Sequence, residues 1–361
     1  MNEKKITSWL NLKFTKSLNW RDTIALVKKF GSPEDFPKKQ QRLIGFLGAK
    51  VVEDIFTEKK RDIIEQTLEA FEKTEMDFIT FCDKAYPKAL KNLYNPPLFL
   101  FCRGQLDSAK LALSLGIVGT RKLSNYGRLI TKKISYEIAK NGFSIVSGLA
   151  YGADTLAHKA ALEAKSYTVA VLGTCVDNIY PTTNISIANK ILDSSGAIVS
   201  ENLPGTPPEP WVFPARNRII SGLSQGVLVT EGAVKSGALL TAKFALQQNK
   251  SIFAIPGDIT REQSRGVNYL LKLGAKITTS AKDVLQEYGV VGKAFRKSQV
   301  ELTKNEKKLY EIILENRPEV AFDKLLLESA YPFGKLSATL LSLEMKKLIV
   351  RLPANMIAVS F

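Results

Sequence analysis

From residue 111 onward, apolar runs of strand length alternate with helical patterns. GIVGT is followed by GRLITKKISYEIAK, FSIVSG by ADTLAHKAALEA and YTVAVLG by SIANKILDSS; then come AIVSE, RIISGLS, GVLVTEG, ALLTAKFALQQ, SIFAIPG, VNYLLKLG and KITT. A strand covered on both faces needs an unbroken apolar run, and helices between such runs supply the crossovers of a parallel sheet. The pattern predicts an α/β fold, a doubly wound Rossmann-like parallel sheet, within a core domain over residues 76–290. Its first part, AYPKALKNLYNPPLFLFCRG, has a Pro96–Pro97 pair before a short apolar run, which predicts a turn feeding an extended segment.

The flanks follow other periods. Over residues 1–75 the apolar spacing is helical, as in DTIALVKKFGSPEDF and RDIIEQTLEAFEKT, with breaks at Gly31-Ser32-Pro33 and at Gly45 and Gly48. An all-helical N-terminal module is expected, sterile-alpha-motif-like or helix-hairpin-helix-like. Over residues 300–361, LTKNEKKLYEIILEN, AFDKLLLESA and GKLSATLLSLEMKKL precede IVRLPANMIAVSF. Three helices and then two short strands around Pro353-Ala354-Asn355 are the order of a winged-helix-like domain. Its third helix carries few side chains for reading a groove beyond Lys335 and the Lys346–Lys347 pair, so contact with protein, or weak contact with duplex DNA, is expected of it.

Composition adds a partner. Lys and Arg number 51 against 35 Asp and Glu in 361 residues, a formal net charge of +16, and a positive field of that size calls for an anionic partner, most commonly nucleic acid. Cys82, Cys102 and Cys175 are odd in number and widely spaced, which excludes a disulfide framework or a Cys-x-x-Cys zinc site; no metal is expected. MNEKKITSWLNLKF lacks the apolar centre of a signal peptide and no stretch has membrane-spanning length, so a cytoplasmic protein without membrane contact is expected.

Candidate chemistry gathers where the strands end, the edge at which open parallel sheets take ligands. After the first strand come Gly119, Arg121 and Lys122, with Ser124 placed to cap the next helix. After the second, Ser147-Gly148-Leu149-Ala150-Tyr151-Gly152 precedes Asp154, and Gly148 would let backbone approach a phosphate. Neither Gly-x-Gly-x-x-Gly nor Gly-x-x-x-x-Gly-Lys-Ser/Thr occurs, so no nucleotide cofactor is indicated. Further on, Glu231-Gly232 leads to Ser236-Gly237, bracketed by Lys235 and Lys243, where a helix start beside lysines suits a phosphodiester backbone. In FPARNRIIS, Arg216 and Arg218 flank Asn217; chain direction puts both arginines near Arg121, and three convergent arginines exceed what a solvated helix face requires. The single His158 sits on an alanine-rich helix; the Gly-x-Ser-x-Gly elbow that would make it part of a triad with Ser147 and Asp154 is missing, so a structural histidine is expected.

Taken together, GIVGTRKLSNYG, IVSGLAYGADTLAHKAAL, VAVLGTCVDNIYPTTN, IVSENLPG, FPARNRIISGLS, VLVTEGAVKSGALLTAKFAL, FAIPGDI and GVNYLLKLGAK closely resemble the DNA-processing protein A family, also called DprA or Smf. The resemblance runs over roughly residues 85–280 in matching order. It implies sequence-independent binding and protection of single-stranded DNA and loading of a RecA-type recombinase during natural transformation, without catalysis or cofactor. The matching DNA-binding positions are Gly119, Arg121, Ser124, Arg216, Asn217 and Arg218, with Lys122, Gly148, Lys235, Ser236, Gly237 and Lys243 beside them. The family's dimer surface falls on about residues 267–278, here Asn268, Leu270, Leu271, Ala275 and Ile277.

Two other readings remain open. The arginines ahead of a Glu-Gly loop resemble nucleoside-monophosphate phosphoribohydrolases, in which Glu231 would serve glycosidic cleavage, although EGAVKSGALL stands where their Pro-Gly-Gly-x-Gly-Thr loop belongs. A transcriptional regulator would use the winged helix to read duplex DNA.

Overall fold

A computed structural model describes residues 3–57, 61–290, 302–316, 319–346, 348–352 and 355–359. The chain divides into two compact units, Met1–Gly292 and Lys293–Phe361.

The first unit opens with α1 (Glu3–Phe14), α2 (Trp20–Phe30), α3 (Gln40–Leu47), α4 (Ala49–Phe56) and α5 (Arg61–Lys73). Local chemistry sets their ends. The Asn19 side chain accepts from the Arg21 and Asp22 amides at the start of α2, and Gly31, at φ 83°, ends it in a conformation that a side chain would oppose. A run of strands follows: β1 (Asp77–Thr80), β2 (Phe99–Gly104), β3 (Ser114–Val118), β4 (Ser144–Ser147), β5 (Thr168–Val171), β6 (Ala197–Ser200), β7 (Gly226–Val229), β8 (Ser251–Ala254) and β9 (Lys276–Ile277). One short helix, α6 (Lys88–Lys91), lies between β1 and β2. The crossover helices are α7 (Asn125–Lys140), α8 (Ala153–Glu163), α9 (Ile185–Asp193), α10 (Val212–Leu223), α11 (Gly237–Gln247) and α12 (Glu262–Lys272), and α13 (Ala281–Glu287) closes the unit.

Hydrogen bonding orders the strands β1-β2-β6-β5-β4-β3-β7-β8-β9. From β6 to β9 neighbouring strands are parallel, while β1 and β2 add an antiparallel edge. The β1 edge was not foreseen: DFIT is too short and too mixed to stand out, and its pairing with β2 is what makes it a strand. Because β3 lies between β4 and β7, the chain winds away from it in both directions, and the crevice at its carboxyl end is the switch point at which doubly wound sheets take ligands.

Two apolar clusters fix the layers. Leu115, Ile117, Ile145, Leu228 and Phe253 pack with Ile134 and Ile138 of α7, Ala157 and Ala161 of α8 and Val284 of α13. Val118, Val146, Val227 and Val229 belong to a second cluster that takes in Ile219 and Leu223 of α10, Ala242 of α11 and, continuously, Trp9, Leu10, Leu26 and Phe30 of the N-terminal helices. The helices expected as a module over 1–75 thus share a core with the sheet. Lys5 also pairs with Asp83 at 2.7 Å.

The second unit holds α14 (Lys304–Glu315), β10 (Glu319–Ala321), α15 (Phe322–Ser329), α16 (Phe333–Met345), β11 (Ile349–Leu352) and β12 (Met356–Val359), with sheet order β10-β12-β11. Its helix-strand-helix-helix-wing order is that of a winged helix. The strand β10 is an addition to the expected three helices and two strands, again too short to carry a period of its own. Lys347, Pro353 and Ala354, named above, lie outside the described residues. Glu306 is the unit's polar anchor: it accepts from the Thr303 amide at 2.7 Å, Ser342 Oγ at 2.6 Å and Lys346 Nζ at 2.8 Å, contacts that hold its carboxyl down at about 2.

Candidate functional site

A cleft of about 750 Å³ opens where the carboxyl ends of β3 and β7 meet the start of α11. One wall is the β3–α7 loop, with Gly119, Thr120, Arg121 and Lys122; the opposite wall is α10, with Phe213, Pro214, Arg216 and Asn217. Ser236, Gly237, Ala238 and Thr241 of α11 close the third side.

The loop wall is open. Arg121 and Lys122 are exposed, and neither has an acidic partner among the described residues. Arg121 lies with its guanidinium carbon 5.2 Å from the Phe213 ring centroid, and that ring lies 5.9 Å from Tyr180, so a cation and two rings line up across the cleft. The loop itself is held rigidly. Glu231, just past β7, is 3% exposed; its carbonyl accepts from the Thr120 amide at 2.7 Å and its Oε2 from the Ser124 amide at 2.9 Å, at the positive end of α7. Ser124 completes that helix start, its Oγ accepting from the Gly127 amide at 3.0 Å. Gly127 is glycine for a steric reason, since a Cβ there would overlap the Glu231 carboxylate. The Glu231 carboxylate, the acid of the glycosidic reading, thus braces the start of α7, while its backbone carbonyl holds the loop after β3.

The α10 wall is closed. The helix runs through all of FPARNRIIS, so both arginines are helical, and neither is solvated. Arg216 is 5% exposed. Its Nη1 donates to the Gly148 carbonyl at 2.7 Å and to the Val171 carbonyl, and its Nε to Asn217 Oδ1 at 3.2 Å. Asn217 Nδ2 in turn donates to the Gly237 carbonyl at 3.2 Å. One arginine and one asparagine thereby pin the ends of β4 and β5 and the start of α11. Burial lowers the Arg216 pKa to about 10, which leaves it charged at neutral pH. Asp154, also buried, accepts from the Gly148 amide at 3.1 Å and the Ala150 amide at 3.4 Å; burial raises its carboxyl, and the Arg216 charge and these amides oppose the rise.

Arg218 stands apart from the cleft lining. Its Nη1 and Nη2 grip both carboxylate oxygens of Glu201 at 2.6 Å, and its Nε donates to the Asn95 carbonyl at 3.0 Å. The expected convergence of three arginines is corrected: Arg121 and Arg216 share the cleft, while Arg218 faces β6 because two helical residues turn the side chain by about 200°. Gly148 is corrected as well. It is buried outside the lining, and the reason for glycine there is the Arg216 guanidinium, which a Cβ would overlap.

The start of α11 is chemically open. Ser236 makes no side-chain cap, its Oγ is buried without a partner among the described residues, and the first-turn amides of Gly237 and Ala238, both of which line the cleft, have none there either, so two backbone donors stand at a positive helix end beside the cleft. Lys235 is exposed beside this start. Lys243 is not brought to the cleft: two residues beyond Thr241, it lies on the side of α11 that lines a separate groove with Leu246, Tyr269 and Leu273.

His158 is fully buried, with Nδ1 2.8 Å from Thr168 Oγ1, whose own hydrogen goes to the Ile145 carbonyl at 2.8 Å. Burial lowers its pKa to about 3, so the ring is neutral. Ser147 Oγ donates to the Ile117 carbonyl at 2.6 Å and Asp154 serves backbone amides, so these three residues form no triad.

Against known proteins, the sequence model of the DNA recombination-mediator protein A family matches residues 77–289. The chain belongs to this family. A DprA winged helix domain matches residues 294–355. The chain is 39% identical to the DNA processing protein DprA of Bacillus subtilis over 62% of its own length and 75% of that protein's. It is 40% identical to protein Smf of Synechocystis over 68% of its own length, an alignment that spans 62% of the relative. Among solved structures, DprA of Streptococcus pneumoniae superposes with TM-score 0.65 at 33% identity, covering 78% of this chain and 98% of that one. A structure described as giving the single-stranded DNA binding mode of DprA from Helicobacter pylori matches with TM-score 0.53 at 32% identity, covering 59% of this chain and 95% of that one.

Within this family member the sheet edge expected to dimerise is mixed. Ile277 is 62% exposed, whereas Leu270 is buried in its own chain at 8%. Asn268 clasps Gly257, accepting from its amide at 3.2 Å and donating to its carbonyl at 2.9 Å; Leu271 and Ala275 are half-buried. Exposed Tyr269, Leu273 and Leu246 at the same edge were missed, as was Phe213 in the cleft. For Phe213 a signal existed, an aromatic three residues ahead of a basic pair.

Proposed function

We propose that this protein binds single-stranded DNA in the cleft between the β3–α7 loop and α10, gripping the backbone without reading base edges, and delivers it to a RecA-type recombinase. The observation that carries the reading is that Arg121 and Lys122, without an acidic partner among the described residues, line one cleft with the first-turn amides of Gly237 and Ala238, which have no partner among those residues either. Such a set suits successive phosphates, and the Tyr180 and Phe213 rings, tilted with centroids 5.9 Å apart, offer aromatic surface to unpaired bases. The Helicobacter pylori structure, described by its single-stranded DNA binding mode, supports the choice of ligand; the family description as a recombination mediator supports the destination. A homodimer through the β9 edge accords with the apolar surface of Leu246, Tyr269, Leu273 and Ile277 there, since an open strand edge is otherwise an exposed pairing surface. Glu231 is buried, with its Oε2 accepting from the Ser124 amide at the start of α7, a structural role that speaks against the phosphoribohydrolase reading.

The test is a salt series of binding to single-stranded and duplex oligonucleotides of varied sequence, comparing the intact chain with Arg121→Ala. Single strands should bind better at every sequence, and the variant should lose roughly tenfold in affinity and about 0.7 of the log-log salt slope, one phosphate contact's share. Preference for duplex, or an unchanged slope in the variant, overturns the assignment.

A further inference from the structure

Trp211 is the side chain at this site that the fold leaves unused. It stands immediately before α10 and is 69% exposed, whereas Trp9 is fully buried. Pro208, Pro210, Phe213 and Pro214 around it all line the cleft, which places Trp211 at the mouth. The rings inside are already engaged, Tyr180 with Phe213 and Phe213 with Arg121. The indole has neither a ring contact nor a hydrogen bond among the described residues. Its backbone is firmly set by the prolines and by turns in which the Glu209 amide reaches the Pro207 carbonyl at 2.8 Å and the Val212 amide the Glu209 carbonyl at 3.1 Å. A large flat ring is thus held out in water at small entropic cost, the condition under which tryptophan makes a good contact.

We infer that Trp211 is a base-stacking platform at the mouth of the cleft, taking one base of a single strand whose backbone the cleft grips. The inference rests on the proposed binding of single-stranded DNA. A base is the favoured occupant because the adjoining surface is a polyanion site: the exposed Arg121 and Lys122 are set for phosphates, and a strand held by its backbone turns its bases outward to a ring of this kind. The ring is also an isolated aromatic among prolines with Glu209 beside it, too small an apolar surface for a protein partner.

The experiment compares the full chain with Trp211→Ala, Trp211→Phe and Arg121→Ala, using a thymidine oligonucleotide and an abasic oligonucleotide of equal length at one salt concentration. The thymidine strand should quench tryptophan fluorescence and the abasic strand should not, and Trp211→Phe should abolish the quench. Trp211→Ala should weaken thymidine binding roughly tenfold, within the range of one stacked base, leave abasic binding unchanged, and be largely rescued by Trp211→Phe. Equal loss on both strands, or no loss on either while Arg121→Ala still weakens both, overturns the platform and leaves the cleft standing. If Arg121→Ala also binds both strands normally, the cleft reading fails and the platform falls with it.

Discussion

The two walls of the cleft are built from the same residue types and spend them differently. On the β3–α7 loop, Arg121 and Lys122 are exposed and without acidic partners among the described residues; on α10, Arg216 is consumed by the Gly148 and Val171 carbonyls and Arg218 by Glu201 and Asn95. The difference follows from where each backbone runs. A loop at a strand end projects its side chains beyond the sheet, whereas a crossover helix lies on the sheet and directs alternate faces at strand ends, whose last carbonyls need donors. Guanidinium supplies several donors in one plane and serves either purpose. Positive charge counted from sequence is therefore not charge available to a ligand: one wall leaves its cations in solvent, and the other spends them on holding the cleft's geometry in place.

The comparison breaks most visibly at Arg216. Arg216→Ala should cost about 3–5 kcal/mol of stability, because the Asp154 carboxylate and two strand-end carbonyls lose a buried partner, while Arg121→Ala should change stability by less than about 0.5 kcal/mol. Urea unfolding of the two variants measures the contrast; equal stabilities would erase the distinction between walls.

Acid sharpens it next, since burial beneath the cleft also excludes charge at His158. With the folded pKa near 3 against an ordinary 6.5, the unfolded chain binds the extra proton between those values. The contribution is whole above pH 6.5 and falls as pH drops toward 3. His158→Gln should lack this component, so its stability should decline less steeply than the parent's from pH 6.5 to 4, read by denaturant midpoints at each pH. Parallel declines would mean that the imidazole is charged in the fold.

The smallest effect is expected at Lys243. Because it lies in the groove with Tyr269 and Leu273, Lys243→Ala should alter single-strand affinity less than about twofold at the salt concentration where Arg121→Ala loses tenfold; a comparable loss would extend the binding surface around α11.

Much of this was legible beforehand. Alternation of apolar runs and helical periods marked the parallel sheet, because strands covered on both faces are mostly apolar, with small polar residues only at their ends. The polar residues at the ends of those runs marked the edge where the cleft opens, because chain direction in a parallel sheet puts every carboxyl end on one side. Ser124 was placed correctly as a cap from its position alone.

Other features were decided only by tertiary structure. DFIT and EVA are strands because β2 and β12 pair with them, a long-range event that three or four residues cannot announce. The N-terminal helices joined the sheet's core because their apolar faces found one continuous cluster with it. In Arg-Asn-Arg, the sequence carried the charge and the hydrogen-bonding capacity, while the fold assigned the partners: Gly148, Val171 and Glu201 lie 68, 45 and 17 residues from the arginines they hold. Residue type and local period are properties of neighbours along the chain; burial and partnership are properties of neighbours in space, and only folding brings those together.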